Sequence, residues 1–99
     1  MNKVINTTKA PKAIGPYSQA ILAGNGMLFI SGQIPVNPLT GEIPNGIDAQ
    51  ANQVFTNLKH LLEASGTDID KVVKTTVFIQ DMKDFAIVNK IYETYFTEP

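Results

Sequence analysis

Residues 15–33 read GPYSQAILAGNGMLFISGQ. The stretch predicts a β-hairpin. Ser18–Ala23 and Met27–Ser31 are its strands, and Gly24-Asn25-Gly26 is the turn, made of residues that tolerate positive φ. Two polar clusters, Tyr17-Ser18-Gln19 and Ser31-Gly32-Gln33, lie at the two ends of the stretch. A hairpin built only for packing has no use for glycine and amides there. Polar groups and bare backbone on a rigid element point to a small polar ligand. Tyr17 fits either a core aromatic or a pocket wall with a hydroxyl donor. Gly32 either lets a ligand reach the main chain or marks a bend or bulge.

Outward from the hairpin, Lys3–Asn6 reads as an edge strand and Thr7–Pro16 as a proline-punctuated connection. Residues 33–46 form a loop, because Pro35, Pro38 and Pro44 forbid a central strand. Asp48 is a candidate N-cap for a helix whose apolar stripe is Val54, Phe55, Leu58, Leu61 and Leu62. Gly66 stands at the C′ position. Thr67–Lys71 predicts one helical turn, with Thr67 and Asp70 as a loose capping pair. Val72–Gln80 predicts a strand with Val73, Thr75, Val77 and Ile79 on one face. A second helix begins at Asp81 or Asp84, places Phe85, Val88, Ile91, Tyr92, Tyr95 and Phe96 on one side, and ends at Pro99.

The expected order is β-β-β-α-β-α in a single domain over residues 1–99. Two amphipathic helices on one face of a mainly antiparallel sheet make an α+β layer. The other sheet face, carrying Thr75, Val77 and Ile79 or their alternates, is then open. An apolar face of that size calls for cover by another subunit.

Composition narrows the function. Ninety-nine residues with net charge −1 and eight lysines spread along the chain argue against nucleic acid as a partner. The absence of cysteine excludes disulfides, thiolate catalysis and cysteine-held zinc. No apolar run suits a signal peptide or a membrane span, so the expected location is the cytoplasm. Gly24-Asn25-Gly26 lacks the context of a phosphate loop. His60, the single histidine, lies beside the apolar stripe and fits a boundary residue better than a metal ligand, and no metal is expected. The helix-flanking aspartates fit caps and first-turn charges. Ser31 as a nucleophile would need a base that His60 is poorly placed to be. Asn89, between Val88 and Ile91, is either surface-exposed or reaches toward a site at a subunit edge.

GPYSQA (15–20), FISGQIP (29–35), TNLKHLLEASG (56–66), KTTVFIQDMKDFAIVN (74–89) and YETYF (92–96) closely resemble the RidA/YjgF family of imine deaminases. The resemblance covers essentially the whole chain. It implies a chorismate-mutase-like fold assembled as a homotrimer, with clefts between subunits. It implies cofactor-free hydrolysis of 2-imino and enamine acids, such as 2-aminoacrylate and 2-iminobutanoate, to 2-oxo acids and ammonia. These imines are released by pyridoxal-phosphate enzymes such as threonine dehydratase. The resemblance marks Tyr17 as the pocket tyrosine in a positioning role. It marks Ser31, Gly32, Gln33 and Asn89 as substrate-binding.

The family's carboxylate-binding arginine and water-handling glutamate lie after the second helix, and the last two family strands lie there too. No residue through Pro99 matches them, so weak or no activity is expected of the 99-residue chain. Some members are described as ribonucleases or translation inhibitors. A non-catalytic binding or regulatory module using the same clefts is a further alternative.

Overall fold

The computed structural model describes residues 1–97. Its elements are β1 (Lys3–Ile5), β2 (Ala20–Leu22), β3 (Leu28–Ile30), α1 (Ile47–Ala64) and α2 (Phe85–Tyr95). Short 3-10 turns occupy Ile69–Lys71 and Met82–Asp84. The α+β class stands. The second helix ends at Tyr95 with Phe96, in extended conformation, as its C-cap, short of the expected end at Pro99, which lies outside the described residues.

The three strands form one antiparallel sheet in the order β1-β2-β3. The hairpin turn closes with Gly26 N–H donating to Ala23 O (3.0 Å) and Ala23 N–H donating to Met27 O (2.8 Å). One turn residue, Gly26, has positive φ (91°), the conformation in which a side chain is strained. The strands are shorter than expected, yet their pairing runs on at the open end, where Ser31 N–H donates to Gln19 O at 3.0 Å.

Register decides which side of the sheet is wet. Val4, Ile21 and Phe29 are cross-strand partners and therefore share a face. Ile5, Ala20 and Ile30 form the neighbouring row on the opposite face. Ile5 and Ala20 are buried, whereas Val4 is 53% and Phe29 61% exposed. The open apolar sheet face is thus carried by the hairpin and β1. The chain is correspondingly thin, at 42 × 32 × 19 Å.

The expected strand at 72–80 differs. Among the described residues it has no sheet partner, so its main chain is in no ladder. A strand is a pairing as well as a side-chain pattern, and neither is complete here: Val73 (86%) and Val77 (48%), on the same alternation as Thr75 and Ile79, are exposed. Thr75 and Ile79 turn inward. The Thr75 hydroxyl hydrogen-bonds the Tyr92 hydroxyl (2.8 Å), and Ile79 packs on the core. Phe78, on the alternate side, is 92% exposed. Thr75 and Ile79 therefore belong to the helix-facing side and not to the open face.

α1 is the spine. Ala51 and Phe55 join Val88 of α2 in the core, with Leu58, Ile91, Tyr92, Tyr95 and Phe96 packed around them. Phe55 meets Tyr92 edge-on at 5.6 Å and Tyr95 at 5.2 Å, while Tyr92 stacks on Phe96 at 4.5 Å. The tyrosine hydroxyls find partners: Tyr92 in Thr75, and Tyr95 in Asn52, to whose Oδ1 it donates (3.3 Å).

The cap assignments need two corrections. Gly46 (φ 90°) is the N-cap of α1, and Asp48 sits inside the first turn, accepting from Ala49 N–H at 2.9 Å. Its charge still favours the helix N-terminus. The turn after α1 is capped by Asp68, which accepts from Ile69 N–H, and not by the Thr67–Asp70 pair. The C-terminus of α1 follows expectation. Gly66 N–H donates to Glu63 O (3.1 Å) and Thr67 N–H to Leu62 O (3.0 Å), the paired bonds of a Schellman motif.

Phe55→Ala is expected to cost about 3–5 kcal/mol, because a buried ring touching three aromatics leaves a cavity. Phe55→Leu is expected to cost less than half of that. Urea denaturation followed by circular dichroism measures both, and equal midpoints for the two variants would contradict this account of the core.

Candidate functional site

Two loops face each other at the open end of the hairpin. One runs from Thr7 to Gln19 and the other from Ser31 to Gly41. Between them lies a cleft of about 290 Å3 lined by, among others, Tyr17, Gln19, Ser31, Gly32 and Gln33. Both polar clusters of the opening stretch thus meet in one place.

The loops stand where they do because of two buried side-chain amides. Gln19 is 4% exposed. Its Oε1 accepts from Thr7 N–H (2.7 Å). Its Nε2 donates to the carbonyls of Thr7 (3.0 Å), Ala10 (3.2 Å) and Pro11 (2.8 Å), so two hydrogens are shared among three acceptors. Asn57 of α1 is fully buried and holds the other wall. Its Nδ2 donates to Ile34 O (3.2 Å) and Val36 O (3.0 Å), while its Oδ1 accepts from Gln53 Nε2 (2.9 Å). His60 adds a third tie. Lys9 O can only accept, so His60 Nδ1 carries the hydrogen and donates at 2.7 Å. The histidine is a boundary residue pinning the first loop to α1.

The sequence candidates separate by use. Gln19 belonged to the ligand-facing polar clusters expected from sequence, but its amide is consumed by the fold. Ser31 is similarly committed: its N–H donates to Gln19 O and its hydroxyl donates to Ser18 O (2.6 Å). That hydroxyl proton is engaged by a carbonyl, and among the described residues no histidine shares the lining to act as its base. Tyr17 is half-exposed and its hydroxyl accepts, at 3.4 Å, from Ile14 N–H, which leaves the phenolic proton free to donate. It is a cleft wall rather than a core residue.

Gly32 is exposed, and its φ lies outside the left-handed region. A Cβ added there meets nothing within 4 Å. No turn and no close packing in the chain demands glycine at this position. Among the described residues the Gly32 and Gln33 N–H groups have no hydrogen-bond partner, and both residues are on the cleft lining. Gln33 donates from Nε2 to Ser31 O (3.1 Å), and its buried Oε1 accepts nothing.

Asn89 stands apart. It is exposed on α2, donates to Glu93 Oε1 (3.3 Å) and lines neither this cleft nor a second one. A second cleft of about 440 Å3, between residues 72–75 and the end of α2, contains none of the candidates. Sequence reasoning missed Lys12, Ile14 and Asn37 on the first cleft. The signal available was proximity to Tyr17 across Pro16 and the proline-punctuated loop expected over residues 33–46.

Residues 7–99 match the family model described as endoribonuclease L-PSP. The chain belongs to the endoribonuclease L-PSP, or RidA/YjgF, family. It is 54% identical over 98 residues to the 2-iminobutanoate/2-iminopropanoate deaminase of Escherichia coli, covering 99% of this chain and 76% of that one. Among solved structures it resembles the Escherichia coli YjgF gene product, with TM-score 0.90, 54% identity, and 96% of this chain and 74% of that chain covered. It also resembles Escherichia coli TdcF with bound serine, with TM-score 0.91, 45% identity, and 96% and 74% covered. The fold of this RidA/YjgF member is therefore the family's. No helix among the described residues is long and apolar enough to cross a membrane.

Two substitutions separate fold from site. Gln19→Ala orphans a buried N–H and several carbonyls and is expected to lose about 2–4 kcal/mol of stability. Gly32→Ala is expected to stay within about 0.5 kcal/mol of the parent, since the new methyl meets nothing. Thermal denaturation measures both, and a large loss from Gly32→Ala would show that the glycine serves packing.

Proposed function

We propose that this chain binds small 2-imino acids and their enamine tautomers, and that the activity it serves is their hydrolysis to 2-oxo acids and ammonia without a cofactor. The observation that carries the reading is the convergence of Tyr17, Gly32 and Gln33 on one small cleft of mixed polar and apolar lining. The deaminase name of a relative at 54% identity supports the chemistry. The serine bound to TdcF is a ligand of the same size class, an amino acid with one carboxylate.

The reaction asks for little. Water adds to C2 of the protonated C=N bond, the resulting carbinolamine loses ammonia, and the C=O of the oxo acid remains. A protonated imine is already electrophilic, so binding and orientation are the protein's first tasks. The unpaired N–H groups of Gly32 and Gln33 suit a carboxylate or a developing alkoxide. The Tyr17 hydroxyl can donate from the opposite side, and Ile14, Ile34 and Val36 offer apolar surface to a short alkyl group.

Moving the proton of the attacking water needs a base, and among the described residues neither a carboxylate nor an imidazole lines the cleft. We therefore assign the 99-residue chain binding with weak or no turnover. The same observation favours, as a second reading, a non-catalytic small-ligand or regulatory module. A ribonuclease draws support from the family's description alone, since a single lysine on the lining and a net charge of −1 give little purchase on RNA.

The exposed row of Val4, Ile21 and Phe29 supports assembly, and we propose a homotrimer whose subunit edges complete the clefts, with Asn89 contributing there. The reading implies a cytoplasmic protein linked to pyridoxal-phosphate enzymes that release imines, threonine dehydratase among them.

The test has two arms. A dehydratase generates 2-iminobutanoate while its loss is followed with and without the chain, and 2-oxobutanoate is titrated while the amide resonances are recorded. Binding that perturbs Gly32 and Gln33, with little acceleration, is expected. Tyr17→Phe is expected to weaken binding about two- to tenfold, the worth of one hydrogen bond. Rapid turnover would refute the weak-activity assignment, and absence of both binding and turnover would refute the whole reading.

A further inference from the structure

Among the described residues, Lys12 is the one charged residue on the lining of the Tyr17–Gly32 cleft, and no carboxylate shares that lining with it. Of the chain's eight lysines, the other seven lie off this cleft. The position of Lys12 is set by the fold on both sides. Just before it, Gln19 Nε2 holds the carbonyls of Ala10 (3.2 Å) and Pro11 (2.8 Å). Just after it, Ile14 N–H donates to the Tyr17 hydroxyl at 3.4 Å. A solvated side chain on a pinned backbone can swing its ammonium over the cleft mouth with little main-chain rearrangement.

Charge and hydrogen-bond donors are complementary here. Among the described residues the Gly32 and Gln33 N–H groups are unpaired, and Lys12 adds a positive charge at the same cleft. An anion gains from both, whereas a neutral isostere gains from the N–H groups alone. We propose that Lys12 is a specificity-determining residue of this cleft, selecting small monocarboxylates over neutral analogues of the same shape by attracting the carboxylate end. The inference rests on the reading of the cleft as a site for 2-imino acids and deepens it.

The attraction is between solvated groups, so its size is bounded. An exposed ion pair of this kind corresponds to about a two- to fivefold change in affinity at low salt. It shrinks when the ionic strength rises toward about 1 M, where charges about 3 Å apart are already at the screening length.

The experiment titrates the intact chain with 2-oxobutanoate and with neutral 2-oxobutanamide, at low and high salt, by calorimetry. Lys12→Met keeps the apolar stem without the charge, Lys12→Arg keeps the charge, and Lys9→Met is the control for loss of one positive charge elsewhere on the same loop. The parent is expected to prefer the carboxylate at low salt. Lys12→Met is expected to lose about two- to fivefold of that preference while binding the amide unchanged. Lys12→Arg and Lys9→Met are expected to keep it. If the parent and Lys12→Met show the same carboxylate preference, the inference on Lys12 falls and the cleft reading stands. If the parent binds neither compound, the cleft reading itself falls. Equal weakening of acid and amide in Lys12→Met would make the residue a shape element and also overturn the charge assignment.

Discussion

The cleft depends on a constraint that is neither catalytic nor hydrophobic: loops that approach a protein's interior must have their main-chain polar groups satisfied. Residues 7–11 carry an N–H and three carbonyls inward, and Gln19 answers all four from one side chain. An amide is the side chain that donates and accepts at once, so a carboxylate or a methionine could not replace it. Asn57 performs the same service for the carbonyls of Ile34 and Val36 from the other side. Two loops with no regular structure become walls of fixed position, one tied to β2 and one to α1.

That dependence explains what was legible in the sequence and what was not. Periodicity revealed both helices, because the stripes of Val54–Leu62 and Val88–Phe96 repeat on one face and a helix satisfies its own main chain. The hairpin was legible because its turn is local. The pairing of Val72–Gln80 was not. Thr75 and Ile79 turn inward while Val73 and Val77 of the same alternation stay exposed; pairing is a property of two segments, and the pattern of one cannot supply its partner. Caps were half legible: an aspartate near a helix start is a good sign of a helix but a poor index of its first residue. Asp48 slipped into the first turn because Gly46, with φ 90°, could make the bend itself.

The site was legible in a different way. Reading Tyr17-Ser18-Gln19 and Ser31-Gly32-Gln33 as polar groups in the wrong place for packing pointed to residues that line one cleft. It could not sort them. A buried amide and a ligand-facing amide look the same in sequence, and they differ only in whether a nearby carbonyl reaches them first. Gln19 and the Ser31 hydroxyl turn out to be spent on the fold. Lys12 was invisible for the complementary reason: a lysine in a proline-rich connection is the most ordinary surface residue, until the anchors at Pro11 and Ile14 place it beside a cleft without a carboxylate.

Gly32 is the sharpest point of the site because the fold has no stake in it. Gly26, Gly46 and Gly66 have positive φ, and a side chain at any of them is strained. Gly32 has neither that conformation nor a crowded neighbour. It follows Ser31, whose N–H and hydroxyl are both bonded to the β2 side of the hairpin. The donors that come next are therefore held by the hairpin and need no reorganisation when a ligand's charge arrives, which is the condition under which main-chain N–H groups stabilise anionic oxygen best. Rigidity upstream and bareness at Gly32 work together. A methyl group at residue 32 would leave the hairpin intact and change only what can come near it.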